Sequence, residues 1–555
     1  MPQEEAVPFL GISRQGHARL VQNARAWLSR VTRKQAFVAV GTLTTLLILV
    51  SLAHPSSPAR SVIASSTGIL PTVTTSTSSQ CGLDWPNSKG IRTPINVDVK
   101  ALTSFWPELS RSLEQHGFDL PTLEQPPWMA APASPEDIRD RSSLLTEDQY
   151  TLIRDRQAEF LNDIPPYPKA FKGRGIIMLA GGSYSEYAVT SLGVLRGTGC
   201  KLPVEVWRRD EREEKKDWCK EIESQGMVCR RLSDYLDTDL LKIADGKELK
   251  IFTMLFSSFE EILFMDADNL AIQAPEILFE SNAYKETGVM LWPDFWDYDN
   301  IDWLDYAIGI ADNQSEALWG TRTYESGQVL WNKKKHWKSL LLATYYNWHG
   351  PQLYYTLMNI GWAGWGDKDT FPMALRALKE PFHTVQYPPT DTWVIGRIAD
   401  RRIGMIQMEP VIPQGREEAK AFFMHSTSMK WSHRDMFCVR CLPIWHTDSS
   451  TDGYNSRYED EFAEFYNELH NSVKLMDEDA RQYCPDNLDP EIKIWRAMEH
   501  AACRSKAWRH GRTCEAMRRY MMDTFGFEFE YENGKRHNFT DVPSMQDAVC
   551  LVDPI

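Results

Sequence analysis

No cysteine occurs before residue 81, and all ten lie at or beyond it. No Gly-x-Gly-x-x-Gly follows the first apolar run of the globular part, which excludes the glycine fingerprint of dinucleotide binding. Positive charge is scarce as well: 61 Lys and Arg stand against 76 Asp and Glu, a net charge of -15. That balance excludes the basic footprint of a nucleic-acid binder. It also means that a phosphate ester bound here needs a cation to offset the protein's own field. Cys438 and Cys441 form a Cys-x-x-Cys, but no second one exists, so a zinc site is poorly supplied and disulfides are the simpler use of the cysteines. No internal repeat is visible.

Charge is absent altogether from residues 36–53, AFVAVGTLTTLLILVSLA. Eighteen uncharged residues reach the lower limit for a membrane-spanning helix, and a short span suits the thinner membranes of the early secretory pathway. Arg19, Arg25, Arg30, Arg33 and Lys34 precede it, and the next twenty residues hold only Arg60. The positive-inside bias puts the N-terminus in the cytosol and the body in the lumen. A cleaved signal peptide ending near Ala53 is the alternative, although a preamble of 35 residues is long for one. Residues 54–80 are a stem, with 16 of 27 positions Ser, Thr or Pro, a composition that cannot bury a core. The sequons at Asn313 and Asn538 fit a lumenal body. The expected layout is a cytosolic tail 1–35, a signal anchor 36–53, the stem 54–80, a proline-rich lead-in 81–165, a catalytic domain 166–440 and a cysteine-containing extension 441–555.

From Gly173 the pattern turns to short apolar runs alternating with helical stretches: Ile176–Leu179 closed by Gly181-Gly182, Val204–Val206, GMVCRRL, the helical ELKIFTMLF, then EEILFMDADN and GVMLWPD. This alternation implies an α/β fold with a Rossmann-like, mostly parallel sheet. The run Ile262–Met265 stops abruptly at Asp266-Ala267-Asp268. Asp-x-Asp occurs five times, at Asp237/Asp239, Asp266/Asp268, Asp297/Asp299, Asp367/Asp369 and Asp477/Asp479; a solvated turn is the plain reading of any one, and it suffices for Asp477/Asp479. Asp266 and Asp268 differ because they end a buried strand, where ligands of open α/β sheets bind. Two like charges at the rim of a core are costly unless a cation joins them, and carboxylate oxygens suit Mn²⁺ or Mg²⁺. His425 in FFMHSTSMKW is a candidate third ligand, and Lys430 is a candidate partner for phosphate. The tryptophan-rich LWPDFWDYDNIDW offers Trp292 and Trp296 either as sugar-stacking faces or as core. The basic run in WNKKKHWK reads as a solvated helix start.

GRGIIMLAGGSY, LRGTGCKLPVEVW, FEEILFMDADN, MLWPDFW, YESGQVLWNKKKHWKSLLLATYYN, GDKDTF and the late MHST occur in that order over roughly residues 170 to 430. In these segments the chain resembles the fungal Golgi α-mannosyltransferases that add α-1,2-linked mannose, a group with α-1,3 relatives. The resemblance implies a GT-A fold, a nucleotide-sugar-binding α/β sandwich. It also implies GDP-mannose as donor, a mannose-terminated acceptor on N-glycan or cell-wall mannan, Mn²⁺ (or Mg²⁺) as cofactor, retention of configuration, and a single-pass Golgi membrane protein with a lumenal catalytic domain. By the same resemblance Asp266 and Asp268 hold the metal, while Gly181, Gly182 and Lys250 lie along the donor; His425 and Lys430 join them from the reading of the residues given above. Asp367, Asp369 and Glu325, with Asp294 beside them, are the carboxylates that could position the sugar or act as nucleophile; Asp367 or Asp369 is favoured for positioning. Another nucleotide sugar on the same fold, a non-catalytic glycan-binding protein and a metal-independent glycosidase are the rival readings.

Overall fold

The computed structural model describes residues 97–123, 145–214, 218–241, 246–297, 304–310, 322–359, 365–394, 401–410, 421–427, 430–432 and 490–507, with a few positions up to residue 521. The chain divides after Thr72, and every described residue belongs to the second unit. No helix among the described residues is long and apolar enough to cross a membrane. The segment 36–53, the stem, both sequons and the Cys438–Cys441 pair lie outside the described residues.

The strands in chain order are β1 (Arg174–Leu179), β2 (Val204–Arg208), β3 (Val228–Arg231), β4 (Glu261–Asp266), β5 (Asn269–Ala271), β6 (Val289–Asp297), β7 (Arg322–Asn332), β8 (His383–Thr384), β9 (Thr390–Val394), β10 (Arg401–Met408) and β11 (Ala421–Ser426). They form a seven-stranded sheet, β3-β2-β1-β4-β7-β6-β8, and a four-stranded sheet, β5-β11-β10-β9. β3, β2, β1 and β4 run parallel. β7 is antiparallel to both β4 and β6, so the large sheet is mixed. The reversal enters through a strand whose polar middle, Glu325-Ser326-Gly327-Gln328, breaks the apolar pattern that marks the others.

Side chains alternate across the large sheet because a strand repeats every second residue. Ile177, Trp207, Ile262 and Phe264 enter one apolar layer with the helices Trp106–Gln115, Glu147–Asn162, Leu249–Phe256 and Trp337–Trp348. Ile176, Met178, Val204, Val206, Leu263 and Met265 enter the other, against the helix Tyr184–Gly197. With both faces covered, a strand reads as an unbroken apolar run, which is why Ile262–Met265 is uniformly hydrophobic. Two helices of the proline-rich lead-in thus belong to the same core as the sheet. From the C-terminal part, the helix Pro490–Cys503 sends Ala501 into the second layer. Among the described residues disulfides join Cys219 to Cys229 and Cys503 to Cys514, while Cys200 is buried and free.

The basic run is not a solvated helix start. Lys334 and Lys335 are exposed, but Lys333 and His336 are buried. Lys333 Nζ donates to the carbonyls of Leu255 and Ser257 at 3.1 and 2.7 Å and sits over the Phe171 ring. It satisfies carbonyls that the helix Leu249–Phe256 leaves open at its C-terminal end, where a cation is also favoured by the helix dipole. His336 is held between Glu380 and the carbonyl of Thr287, at 2.6 Å each. Trp292 is likewise core: it is fully buried, donates to the carbonyl of Met408 at 2.9 Å and meets Phe423 edge-on.

Lys333→Met keeps the apolar stem and strands two buried carbonyls, so it is expected to cost about 2 to 3 kcal/mol of stability. Lys334→Met should stay within about 0.5 kcal/mol of wild type. The midpoints of denaturant unfolding compare the two.

Candidate functional site

The site lies where β4 ends. Its apolar residues lock the strand between two layers, and the chain then delivers Asp266 and Asp268 to the rim. Asp266 keeps 26% of its side chain exposed, whereas Asp268 keeps 7%. The pairing that completes the site comes next. β5 follows Asp268 directly and pairs antiparallel with β11, which sets His425 opposite Asn269, and Ser426 N donates to the carbonyl of Asp268 at 3.1 Å. His425 Nε2 therefore lies 3.3 Å from Asp268 Oδ1. One ligand atom each from Asp266, Asp268 and His425 falls within 4.8 Å of the others, the compactness that a single ion's coordination shell requires.

β7 supplies the support, residue by residue. Glu325 Oε1 stands 3.1 Å from His425 Nδ1 and also accepts Gly327 N. Ser326 accepts Lys250 Nζ through its hydroxyl at 2.9 Å and its carbonyl at 3.0 Å. Gly327 makes room, since a Cβ there would lie 2.6 Å from His425 Nδ1 and 2.8 Å from Glu325 Oε1. Gln328 accepts Asn269 Nδ2 at 2.6 Å. An imidazole that ligates through Nε2 is ordinarily oriented by an acceptor at Nδ1, and Glu325 occupies that place.

Two lysines neutralise the remaining carboxylates. Lys250, on the helix Leu249–Phe256, is 3.1 Å from Asp266 Oδ2 and 3.2 Å from Asp367 Oδ2. Lys368 is 2.6 Å from Asp369 Oδ2 and 3.6 Å from Asp294 Oδ2. Asp369 has no exposed side-chain surface and also accepts Tyr324 N, tying the turn to β7. Lys430 Nζ binds Asp268 Oδ2 and the carbonyls of Ser426 and Thr427. Asp266, Asp268, Asp294, Glu325, Asp367 and Asp369 thus face Lys250, Lys368, His425 and Lys430. Six carboxylates against four cationic groups leave a deficit of positive charge that favours a divalent cation, so the residues fit a metal of that class.

The electrostatics show the same strain. Burial pushes the carboxyl of Asp266 up to about 6, against the pull of Lys250. Burial acts on Asp268 too, but the hydrogen bond from His425 and the charges of His425 and Lys430 outweigh it and hold that carboxyl well below the usual range. Burial disfavours a charged imidazole, yet Glu325 and Asp268 together raise His425 to about 10. Burial raises Asp294 to about 6.

Every candidate site residue from the sequence except the two glycines is in this network. Gly181 and Gly182 lie in the turn after β1, whose last residue pairs with Asp266. Gly182 has φ +58°, a conformation that favours glycine. Ser326, Lys368 and Asn269 were not anticipated. Lys368 had a signal, being flanked by Asp367 and Asp369. Ser326 and Asn269 had none, since Lys250 and Gln328, which they bind, lie far away in sequence. The other Asp-x-Asp pair with a described geometry, Asp237/Asp239, caps a surface turn through Asp237 Oδ1 and Asp239 N at 3.0 Å.

Residues 173–317 and 310–409 match the family model described as "Mannosyltransferase putative". The chain is 33% identical over 242 residues to alpha-1,2-mannosyltransferase MNN24 of Candida albicans, covering 39% of this chain and 34% of that one. It is 34% identical over 273 residues to alpha-1,2-mannosyltransferase MNN5 of Saccharomyces cerevisiae, covering 40% and 46%. MNN2 of Candida albicans, also an alpha-1,2-mannosyltransferase, is 28% identical over 369 residues, covering 58% and 60%. The chain thus spans about a third to three-fifths of the length of these relatives. Among solved structures, the glycosyltransferase GlyE of Streptococcus pneumoniae matches 39% of this chain and 45% of its own at 15% identity and a TM-score of 0.25, a likeness too faint to argue from. Over residues 173–409 the chain is thus similar to the mannosyltransferase family model, and part of it is similar to these α-1,2-mannosyltransferases of yeasts.

Proposed function

We propose that the protein is a metal-dependent glycosyltransferase of GT-A type. It transfers mannose from GDP-mannose, with retention, to a mannose-terminated glycan and forms an α-1,2 linkage, anchored in the Golgi membrane with its catalytic domain in the lumen. The observation that carries this reading is the triad of Asp266, Asp268 and His425, whose acidic pair at the end of β4 lies inside the residues matched by the mannosyltransferase family model. Asp266, Asp268 and His425 would hold Mn²⁺ or Mg²⁺, which when bound offsets the charge of a departing nucleoside diphosphate.

The remaining residues divide the work. Lys250 and Lys430 are the nearest cationic groups to the acidic pair and are placed to share phosphate charge as point cations. Glu325 keeps the Nε2 face of His425 toward Asp268. Asp367 and Asp369 are each paired with a lysine, and Glu325 with His425. A carboxylate so engaged is a poor nucleophile for a double displacement. A front-face displacement, in which the departing phosphate accepts the proton of the attacking hydroxyl, asks only for positioning and charge stabilisation from these residues. Asp294 and Asp367 are the carboxylates best placed for positioning, because Asp369 is committed to Tyr324 and Lys368.

The direct test incubates the full-length protein with Mn²⁺, GDP-mannose and mannobiose and determines the linkage made. An α-1,2 product supports the reading, and absence of transfer overturns it. Asp268→Asn keeps the shape of the ligand and removes its charge. It should lower turnover on the order of 10²-fold or more with a melting temperature close to wild type, as read by scanning calorimetry.

Metal binding should also release a proton. His425 is protonated at neutral pH between two carboxylates, and a ligating imidazole must be neutral. About one proton per Mn²⁺ is therefore expected at pH 7, with apparent affinity climbing as pH rises toward 10. Calorimetry in two buffers of different ionisation enthalpy measures the number released.

A further inference from the structure

Two features of the turns after β1 and β2 are unused by the metal site. The first is Tyr184, at the start of the helix that follows Gly181-Gly182. It is 51% exposed, and of the described large apolar side chains left this open it is the only aromatic, the others being Leu240 and Ile277. Tyr187 braces it edge-on with ring centroids 5.7 Å apart. The second is Glu213, in the short turn Glu211–Glu213 after β2. Asp210 caps that turn by accepting Arg212 N at 2.8 Å.

Glu213 is pressed against the β1 turn. A Cβ on Gly181 would fall 1.9 Å from Glu213 Oε2, so Gly181 is small for the sake of this carboxylate. Gly182 N donates to the Glu213 carbonyl at 3.2 Å, and Arg209 N donates to Glu213 Oε2 at 2.7 Å. Oε1 makes no hydrogen bond among the described residues. Burial raises this carboxyl above its ordinary value, with the Arg209 amide opposing. The group is thus held in place at one end with acceptor capacity left over, against the glycine turn that leads into Tyr184.

The position is that of a ligand. β2 and β3 lie to one side of β1 and β4 to the other, and open α/β sheets bind ligands beyond the carboxyl ends of their strands where the order reverses. A nucleoside diphosphate whose phosphates lie at Asp266 and Asp268 extends its base along that crevice toward β1 and β2. Guanine presents two adjacent donors, N1–H and the 2-amino group, which match the two oxygens of a carboxylate. Uracil presents N3–H between two carbonyl oxygens, which a carboxylate repels, and hypoxanthine lacks the 2-amino group.

We propose that Tyr184 and Glu213 form the nucleobase seat of the donor site, with Tyr184 as the stacking face and Glu213 as the residue that selects guanine. The assignment rests on the donor reading above and adds the group that enforces it. Calorimetric binding of GDP, inosine diphosphate and UDP to the full-length protein with Mn²⁺ tests it. Wild type should bind GDP about tenfold or more tighter than the other two. Glu213→Gln should weaken GDP by about 10- to 100-fold, leave UDP unchanged and erase the preference over inosine diphosphate. Tyr184→Ser should weaken GDP and inosine diphosphate alike. A wild type that does not distinguish GDP from inosine diphosphate overturns the seat, whether or not any variant folds. A wild type that selects GDP, with Glu213→Gln keeping the same ratio, overturns the seat and leaves the donor reading intact. A wild type that prefers UDP, or binds none of the three, overturns both.

Discussion

The pairing of β11 with β5 is the constraint on which the site depends. Three residue pairs, Phe423 with Ala271, Met424 with Leu270 and His425 with Asn269, bring an imidazole from 157 positions downstream to within hydrogen-bonding distance of Asp268. Alternation along a strand leaves no latitude: a slip by one residue sends Met424 toward the carboxylates and His425 into the core. The neighbours of the ladder enforce the register. Phe422 and Phe423 are fully buried in the second layer, and Ser191 Oγ binds the carbonyl of Asn269 at 2.6 Å.

Around that ladder the protein concentrates charge that its stability does not ask for. Burying ionised groups is costly unless each finds a partner, and here carboxylates outnumber cations. Elsewhere in the core, buried charge is arranged differently. Glu205 accepts the Ser258 hydroxyl and pairs with Arg230 at 2.8 Å, and Lys333 caps carbonyls. These groups are satisfied within the fold and brace the core. The β4 end is left short of positive charge, which is the arrangement of a site that waits for a ligand.

Much of this was legible in the residues alone. The apolar runs marked the parallel strands because both faces of the sheet are covered, and the abrupt stop after Met265 pointed to the acidic pair because a rigid strand aims the side chains at its end. His425 could be proposed because it closes an apolar run of its own. β7 could not be read as a strand, since Glu325, Ser326, Gly327 and Gln328 serve the site and hide the period of two. The buried state of Lys333 and His336 was invisible for a related reason: local composition shows charge, but not the carbonyls and carboxylate, far away in sequence, that receive it. For Trp292 the alternation of aromatic and acidic residues left sugar face and core both open, and the structure gives the core: its indole fills the space between the two sheets.

The order in which these parts occur along the chain carries a consequence for biogenesis. Synthesis proceeds from the N-terminus, so Lys250, Asp266 and Asp268 emerge long before His425 and Lys430. Until β11 arrives, Asp268 has neither of the partners that hold its charge in the finished fold. A nascent chain arrested before residue 421 carries the acidic pair without the imidazole that completes the triad. A cation held by this triad would therefore report that β11 has docked on β5.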